Sequence, residues 1–139
     1  MNILLTGEPG IGKTTLIVRI LGVIKHLRTA GFYTREIRQG GIRKGFELID
    51  LGGRKSLLSH VNIKSHYRVG KYGVDIQGFE EFLEAIEFFD PPTDLIVIDE
   101  IGKMECVSSK FNTLLIRILD SETPVIATIA LKGAGIIGQ

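Results

Sequence analysis

Apolar and polar positions along the chain switch between two periods, and the switches mark out the elements. Asn2-Ile-Leu-Leu-Thr6 is a short apolar run that predicts a strand. Leu16, Ile17, Ile20, Ile24 and Leu27 recur at helical spacing, which predicts a helix over residues 16–30 that Gly31 terminates. From Phe32 the period falls to two. Residues 32–38 and 45–51 read as strands, and Gln39-Gly40-Gly41 supplies the turn of an antiparallel hairpin. Residues 53–76 are polar, broken by Gly70 and Gly73, and predict mostly loop with a short strand or two. Phe79, Phe82, Leu83, Ile86 and Phe89 restore the helical spacing, and Asp90-Pro-Pro92 stops that helix. Residues 94–99 form a continuous apolar run capped by acids, the pattern of a strand buried on both faces. Phe111, Leu114, Leu115, Ile118 and Leu119 predict a third long helix, and residues 124–129 a last buried strand. Strands alternating with helices predict a three-layer α/β domain with a mainly parallel sheet covered on both faces.

Composition narrows the possibilities. The chain has 139 residues, the size of one domain, and that length buries roughly two-thirds of the unfolded surface. Hydrophobic residues make up 44% and charged residues 24%, as in ordinary globular proteins. The net charge of +1 provides no global basic field, so nucleic acid and acidic membranes are not indicated as partners. Cys106 is the only cysteine, which excludes an internal disulfide and a cysteine-built metal site and fits a reducing compartment. No apolar run approaches a membrane span.

The chemistry is carried first by Gly7-Glu8-Pro9-Gly10-Ile11-Gly12-Lys13-Thr14, which fits the phosphate-binding pattern G-x-x-x-x-G-K-[ST] at every fixed position. It lies between the first predicted strand and the first predicted helix. That order aims consecutive backbone N–H groups, reinforced by a helix N-terminus, at a polyphosphate. In this reading residues 7–15, ending with Thr15, cradle a nucleoside triphosphate. Lys13 reaches its β- and γ-phosphates, and Thr14 ligates a divalent cation. A loop starting at residue 7 leaves no room for a cleavable leader, so the expected location is cytoplasmic.

The second half of the site is Asp99-Glu100, at the carboxyl end of the strand over residues 94–99. Asp99 is placed to bind Mg²⁺ directly or through water, and Glu100 to orient or deprotonate an attacking water. Acid directly after acid favours hydrolysis over transfer to a second substrate. Arg35, with Arg38 and Arg43 nearby, is the candidate in-chain cation for the developing phosphoryl charge; the alternative for all three is a solvated strand face. Lys103 and Glu105 follow within a turn and either border the nucleotide or are surface charges on a loop. Thr128 either senses the γ-phosphate or is a strand-forming threonine. His26, His60 and His66 have no spacing that suggests a metal site or relay.

Four stretches give the chain a wider resemblance: Gly7-Glu-Pro-Gly-Ile-Gly-Lys-Thr-Thr15, Gly31-Phe-Tyr-Thr-Arg-Glu36, Val69-Gly-Lys-Tyr-Gly-Val74 and Asp99-Glu-Ile-Gly-Lys-Met-Glu105. With them the chain resembles the small P-loop nucleoside-triphosphatases first known from thermophiles, called cancer-related nucleoside-triphosphatase in animals. The resemblance implies slow, Mg²⁺-dependent hydrolysis of several nucleoside triphosphates to the diphosphate, and the expected state is a monomer or weak oligomer. It also implies a fold akin to recombinase and AAA-type ATPases, with an extra strand between the phosphate-loop strand and the Asp-Glu strand. Lys13, Thr14, Asp99 and Glu100 keep their roles under it, and Arg35 gains weight. Family members run further at the C-terminus, so the expectation is one P-loop domain over residues 1–139, short at that end. Two other functions fit the motifs: a small nucleoside or nucleotide kinase, and a nucleotide-dependent binding module.

Overall fold

β7 (Leu95–Ile101) is the spine of the molecule, and its apolar run serves two layers at once. In the computed structural model, which describes residues 1–7 and 12–130, Leu95 and Val97 pack with Ile17 on one face of the sheet. Ile96 and Ile98 point to the other face and join Phe79, Phe82, Phe111 and Leu115. A strand whose alternate residues meet helices on both sides has no polar face to show, hence its uninterrupted hydrophobicity.

Around this spine the chain runs β1 (Asn2–Gly7), α1 (Lys13–Val23), β2 (Thr29–Gln39), β3 (Ile42–Asp50), β4 (Lys55–His60), β5 (Arg68–Val69), β6 (Tyr72–Val74), α2 (Ile76–Glu84), β7, α3 (Lys103–Cys106), α4 (Ser109–Asp120) and β8 (Val125–Ala130). The sheet order is β1-β8-β7-β2-β3-β4-β6-β5. β8 therefore separates β1 from β7, as the recombinase-like expectation required. β1, β8, β7 and β2 pair in parallel. From β2 outward every pairing is antiparallel. The sheet is thus mixed in near-equal halves rather than mainly parallel.

The helical layer opposite α1 is organised by aromatic rings. Phe32 on β2 is fully buried and meets Phe79, Phe82 and Phe111 edge-on, at centroid distances of 6.1, 5.9 and 6.4 Å. That geometry sets positive ring edges against negative faces. Both long helices of this layer start on a side-chain cap. The Asp75 carboxylate accepts from the Gly78 N–H, and the Ser108 hydroxyl from the Phe111 N–H. The same Ser108 hydroxyl donates to Glu80, which ties the cap of α4 to the flank of α2.

Three sequence expectations need correction. α1 ends at Val23 rather than at residue 30, because Thr29 and Ala30 already pair with Leu95 and Ile96 in the sheet. α2 ends at Glu84, before the Asp90-Pro91-Pro92 stop, and Ile86 and Phe89 reach the core from the turn that follows. Residues 53–76, expected to be mostly loop, supply three strands that extend the sheet by its antiparallel edge. Among the described residues no helix is long and apolar enough to cross a membrane.

Gly31 has a different role from the predicted helix stop. It lies within β2 at φ +132°, and a Cβ there would overlap the Val97 carbonyl oxygen of the neighbouring strand. Gly22, in α1, has open space where a Cβ would stand. Gly31→Ala is expected to cost about 3 kcal/mol or more of stability, through clash and strained backbone together. Gly22→Ala should add roughly 0.5–1 kcal/mol by lowering unfolded-chain entropy. Urea midpoints of the two variants against wild type check both signs.

Candidate active site

The phosphate-loop motif and the acidic strand end converge where the parallel half of the sheet presents its carboxyl edge. Glu8, Pro9, Gly10 and Ile11 lie outside the described residues. On either side of them, Gly7 ends β1 and Gly12 caps α1 at φ +100°. Among the described residues nothing lies within 4 Å of a notional Cβ on Gly12, and its positive φ is itself a reason for glycine there.

From the first turn of α1, the Lys13 ammonium donates to the Gly7 carbonyl at 2.7 Å and lies 3.9 Å from a Glu100 carboxylate oxygen. Thr14 donates its hydroxyl to Asp99 Oδ2 at 2.7 Å, across 85 residues of sequence. Asp99 is only 1% exposed, and its other oxygen accepts from the buried Thr128 hydroxyl on β8. Its two carboxylate oxygens are thus held by two elements that flank β7. Thr128 does more than form strand: it is a rotamer lock for Asp99.

Glu100 is partly exposed and lies beside Lys13, the residue before Thr14 on the same turn of α1. Burial raises its pKa, the neighbouring Asp99 charge adds to the rise, and Lys13 opposes it. Such a carboxylate is a better base than a solvated one.

Glu105 is not a surface charge on a loop. It is 4% exposed on α3, three residues after the Gly102 N-cap, and its carboxyl is hydrogen-bonded by the Gly102 and Glu105 backbone. This is the capping-box spacing, a signal legible in Gly102-Lys-Met-Glu105 that sequence reasoning passed over. A notional Cβ on Gly102 would lie 3.0 Å from Glu105 Oε1 and 3.1 Å from Glu100 Oε1. The two carboxyls therefore share one small space that only glycine leaves open. Burial, then repulsion from Glu100, pushes the Glu105 pKa to about 8.

The other candidates are not brought to this cluster. Lys103 and Thr15 are exposed. Arg35 is half exposed on β2 and donates two N–H groups to a single Glu47 carboxylate oxygen across the hairpin, at 2.8 and 3.1 Å. Arg38 pairs with Glu36. Arg43, expected on a solvated face, is wedged instead against Tyr72 and Phe46 and bonded to Glu36.

Hard oxygen donors from Thr14 and Asp99 are the groups that can hold a cation. Their 2.7 Å separation is close to the ~3 Å between adjacent ligands of an octahedral shell with ~2.1 Å bonds. Asp99 and Glu100 also outnumber the one ammonium, Lys13, which leaves negative charge for a cation to balance. Among the described residues no cluster of three metal-ligating side chains exists, so phosphate oxygens and water must complete any shell.

The Glu105 pKa has a consequence for stability. Its carboxyl holds a proton in the folded chain up to about pH 8 but loses it near pH 4.5 when unfolded. The contribution is fully present below pH 4.5 and is lost as pH rises toward 8. Glu105→Gln keeps the shape without the titration. It should exceed wild type in urea midpoint at pH 8, by of order a few kcal/mol, and the gap should close toward pH 5.

A family model described as NTPase matches residues 2–137. The nucleoside-triphosphatase THEP1 of Thermotoga sp. (strain RQ2) is 46% identical over 130 residues, covering 93% of this chain and 74% of the relative. The protein of the same name from Archaeoglobus fulgidus is 40% identical over 134 residues, covering 95% of this chain and 78% of the relative. The crystal structure of THEP1 from Aquifex aeolicus superposes with a TM-score of 0.82 at 38% identity, over 99% of this chain and 81% of that one. The solution structure of a human cancer-related nucleoside triphosphatase gives 0.76 at 37% identity, over 96% and 78%. With a model match over nearly its whole length and relatives this similar, the chain belongs to the NTPase family.

Proposed function

We propose that the chain, acting as one P-loop domain, hydrolyses nucleoside 5′-triphosphates to diphosphate and phosphate, slowly and with Mg²⁺. The observation that carries the reading is the Thr14–Asp99 bond, which joins the end of the phosphate-loop motif to the end of β7. Support also comes from the relatives' shared description as nucleoside-triphosphatases.

In this mechanism residues 7–15 cradle the polyphosphate with backbone N–H groups, and Lys13 exchanges the Gly7 carbonyl for β- and γ-phosphate oxygens. Thr14 and Asp99 would hold Mg²⁺, which when bound would neutralise charge on the phosphate oxygens. Thr128 keeps Asp99 in the rotamer that faces Thr14. Glu100, made more basic by burial, takes the proton of the attacking water, and Lys13 opposite it balances the charge. Arg35 lies three residues past Phe32, where β2 leaves β7, and would act on the phosphoryl charge by giving up Glu47. Lys103 opens α3 just after the acidic turn and is assigned to the nucleotide's outer rim.

A product assay over ATP, GTP, CTP and UTP, with Mg²⁺ and with chelator, tests the whole reading. Inorganic phosphate released only with Mg²⁺ is the expected result. Phosphoryl transfer to an added nucleoside or nucleotide would replace this function by a kinase. Lys13→Ala should lose tight triphosphate binding by calorimetry, since the loop forfeits its charge-assisted contact. Glu100→Gln should keep that binding while kcat falls by roughly a hundredfold or more.

Base tolerance is the second expected outcome. A backbone cradle is indifferent to the base, and only a site built to pair with one exocyclic group rejects others by roughly ten-thousand-fold. Values of kcat/KM for the four triphosphates should fall within about a hundredfold of one another. A preference beyond a thousandfold would reveal a dedicated base pocket.

A further inference from the structure

The near-zero net charge of this chain conceals a strong separation. β2 leaves its partner β7 after Phe32, and residues 33–72 then build the outer part of the sheet, from the β2–β3 hairpin to β5 and the start of β6. Those forty residues hold nine lysines and arginines against three acids, a net +6. The remaining ninety-nine hold eight against thirteen, a net −5. The positive charge is also available. Arg35, Arg38, Arg43 and Arg54 are paired with Glu47, Glu36 and Asp50. Lys44, Lys55, Lys64, Arg68 and Lys71 have no acidic partner within ion-pair distance among the described residues.

Four of those five are gathered at the outer antiparallel edge. Arg68 is on β5, the outermost strand, and Lys71 sits in the turn to β6. Lys64 lies on the connection that enters β5, and the Val61 N–H binds the Lys44 carbonyl, which fastens that connection to β3. The Arg68 guanidinium is braced by the Ile63 and Lys71 carbonyls, so a strong bidentate donor is held in place with further N–H groups to offer. Between these cations stand exposed His66 and Tyr67, and Tyr67 is 50% exposed with no ring or cation stacked on it among the described residues. Cations spaced along an edge, with unstacked rings between them, match alternating phosphates and bases.

We propose that the edge formed by Lys44, Lys64, Tyr67, Arg68 and Lys71 binds single-stranded nucleic acid, through its phosphates and by stacking of a base on Tyr67. This surface belongs to the antiparallel part of the sheet, and among the described residues none of its five side chains bonds to Lys13, Asp99 or Glu100, so the inference does not rest on the hydrolytic reading.

The test is fluorescence anisotropy of the whole chain with labelled oligothymidylate and oligouridylate, a labelled duplex, and vesicles of anionic phospholipid as a competing polyanion. Four phosphate contacts imply that single-strand affinity falls about fiftyfold between about 50 and 200 mM salt. Combined Lys64→Glu, Arg68→Glu and Lys71→Glu should weaken binding at least tenfold. Tyr67→Ala should weaken it roughly tenfold without changing the salt slope. Triphosphate hydrolysis should be unchanged in both variants. The proposal is overturned by no oligonucleotide binding at low salt, by unchanged affinity in the triple variant, by duplex bound as tightly as single strand, or by preferential capture of the vesicles. In those cases the cations act only to keep edge strand β5 from pairing with other sheets.

Discussion

A carboxylate withdrawn from water governs this structure. Leaving Asp99 1% exposed would cost several kcal/mol if its oxygens went unbonded. The chain meets that cost with hydroxyls from two elements, Thr14 on α1 and Thr128 on β8. Thr128 reaches it because β8 is inserted between β1 and β7. The strand order and the site are therefore one arrangement: move β8 and Asp99 loses a donor, move α1 and it loses the other.

The same constraint shapes what surrounds it. With Asp99 fixed as an acceptor, the next carboxylates along the chain cannot all be charged in the same low-dielectric space. Glu100 turns toward Lys13, and Glu105 is held against backbone N–H groups with its proton retained near neutral pH. Gly102 makes this packing possible by leaving the space both carboxyls enter. Three acids within seven residues thus have three environments, and only Glu100 combines raised basicity with access to solvent.

Sequence was most informative where one residue's own neighbours decide its fate. The apolar run ending at Asp99, the helical spacing of Phe111, Leu115 and Ile118, and the Gly40-Gly41 turn each specify local structure, and each element formed where expected. The phosphate-loop motif and Asp99 could be paired before any coordinates because their chemistry requires a common ligand. Long-range contacts were harder to read. Lys55-Ser-Leu-Leu-Ser-His60 has little of a strand's alternation, yet pairs with β3 and β6. Gly31 resembles a helix stop in sequence, and only the proximity of Val97 shows why it is glycine. Glu105 is a charge by composition and a buried carboxyl by tertiary packing, and the charge separation beyond Phe32 disappears in any whole-chain average.

One feature of the sheet bears on affinity. β1 delivers the chain to the phosphate loop, yet among the described strands it is the terminal one, hydrogen-bonded to β8 alone, with Ile3 and Leu4 exposed. Terminal strands with few buried contacts open at lower free energy than the core. Each such opening withdraws Gly7 from Lys13 and dismantles the loop's anchor while the rest of the domain stays folded. The apparent dissociation constant for a triphosphate is then the intrinsic one divided by the fraction of molecules with β1 docked.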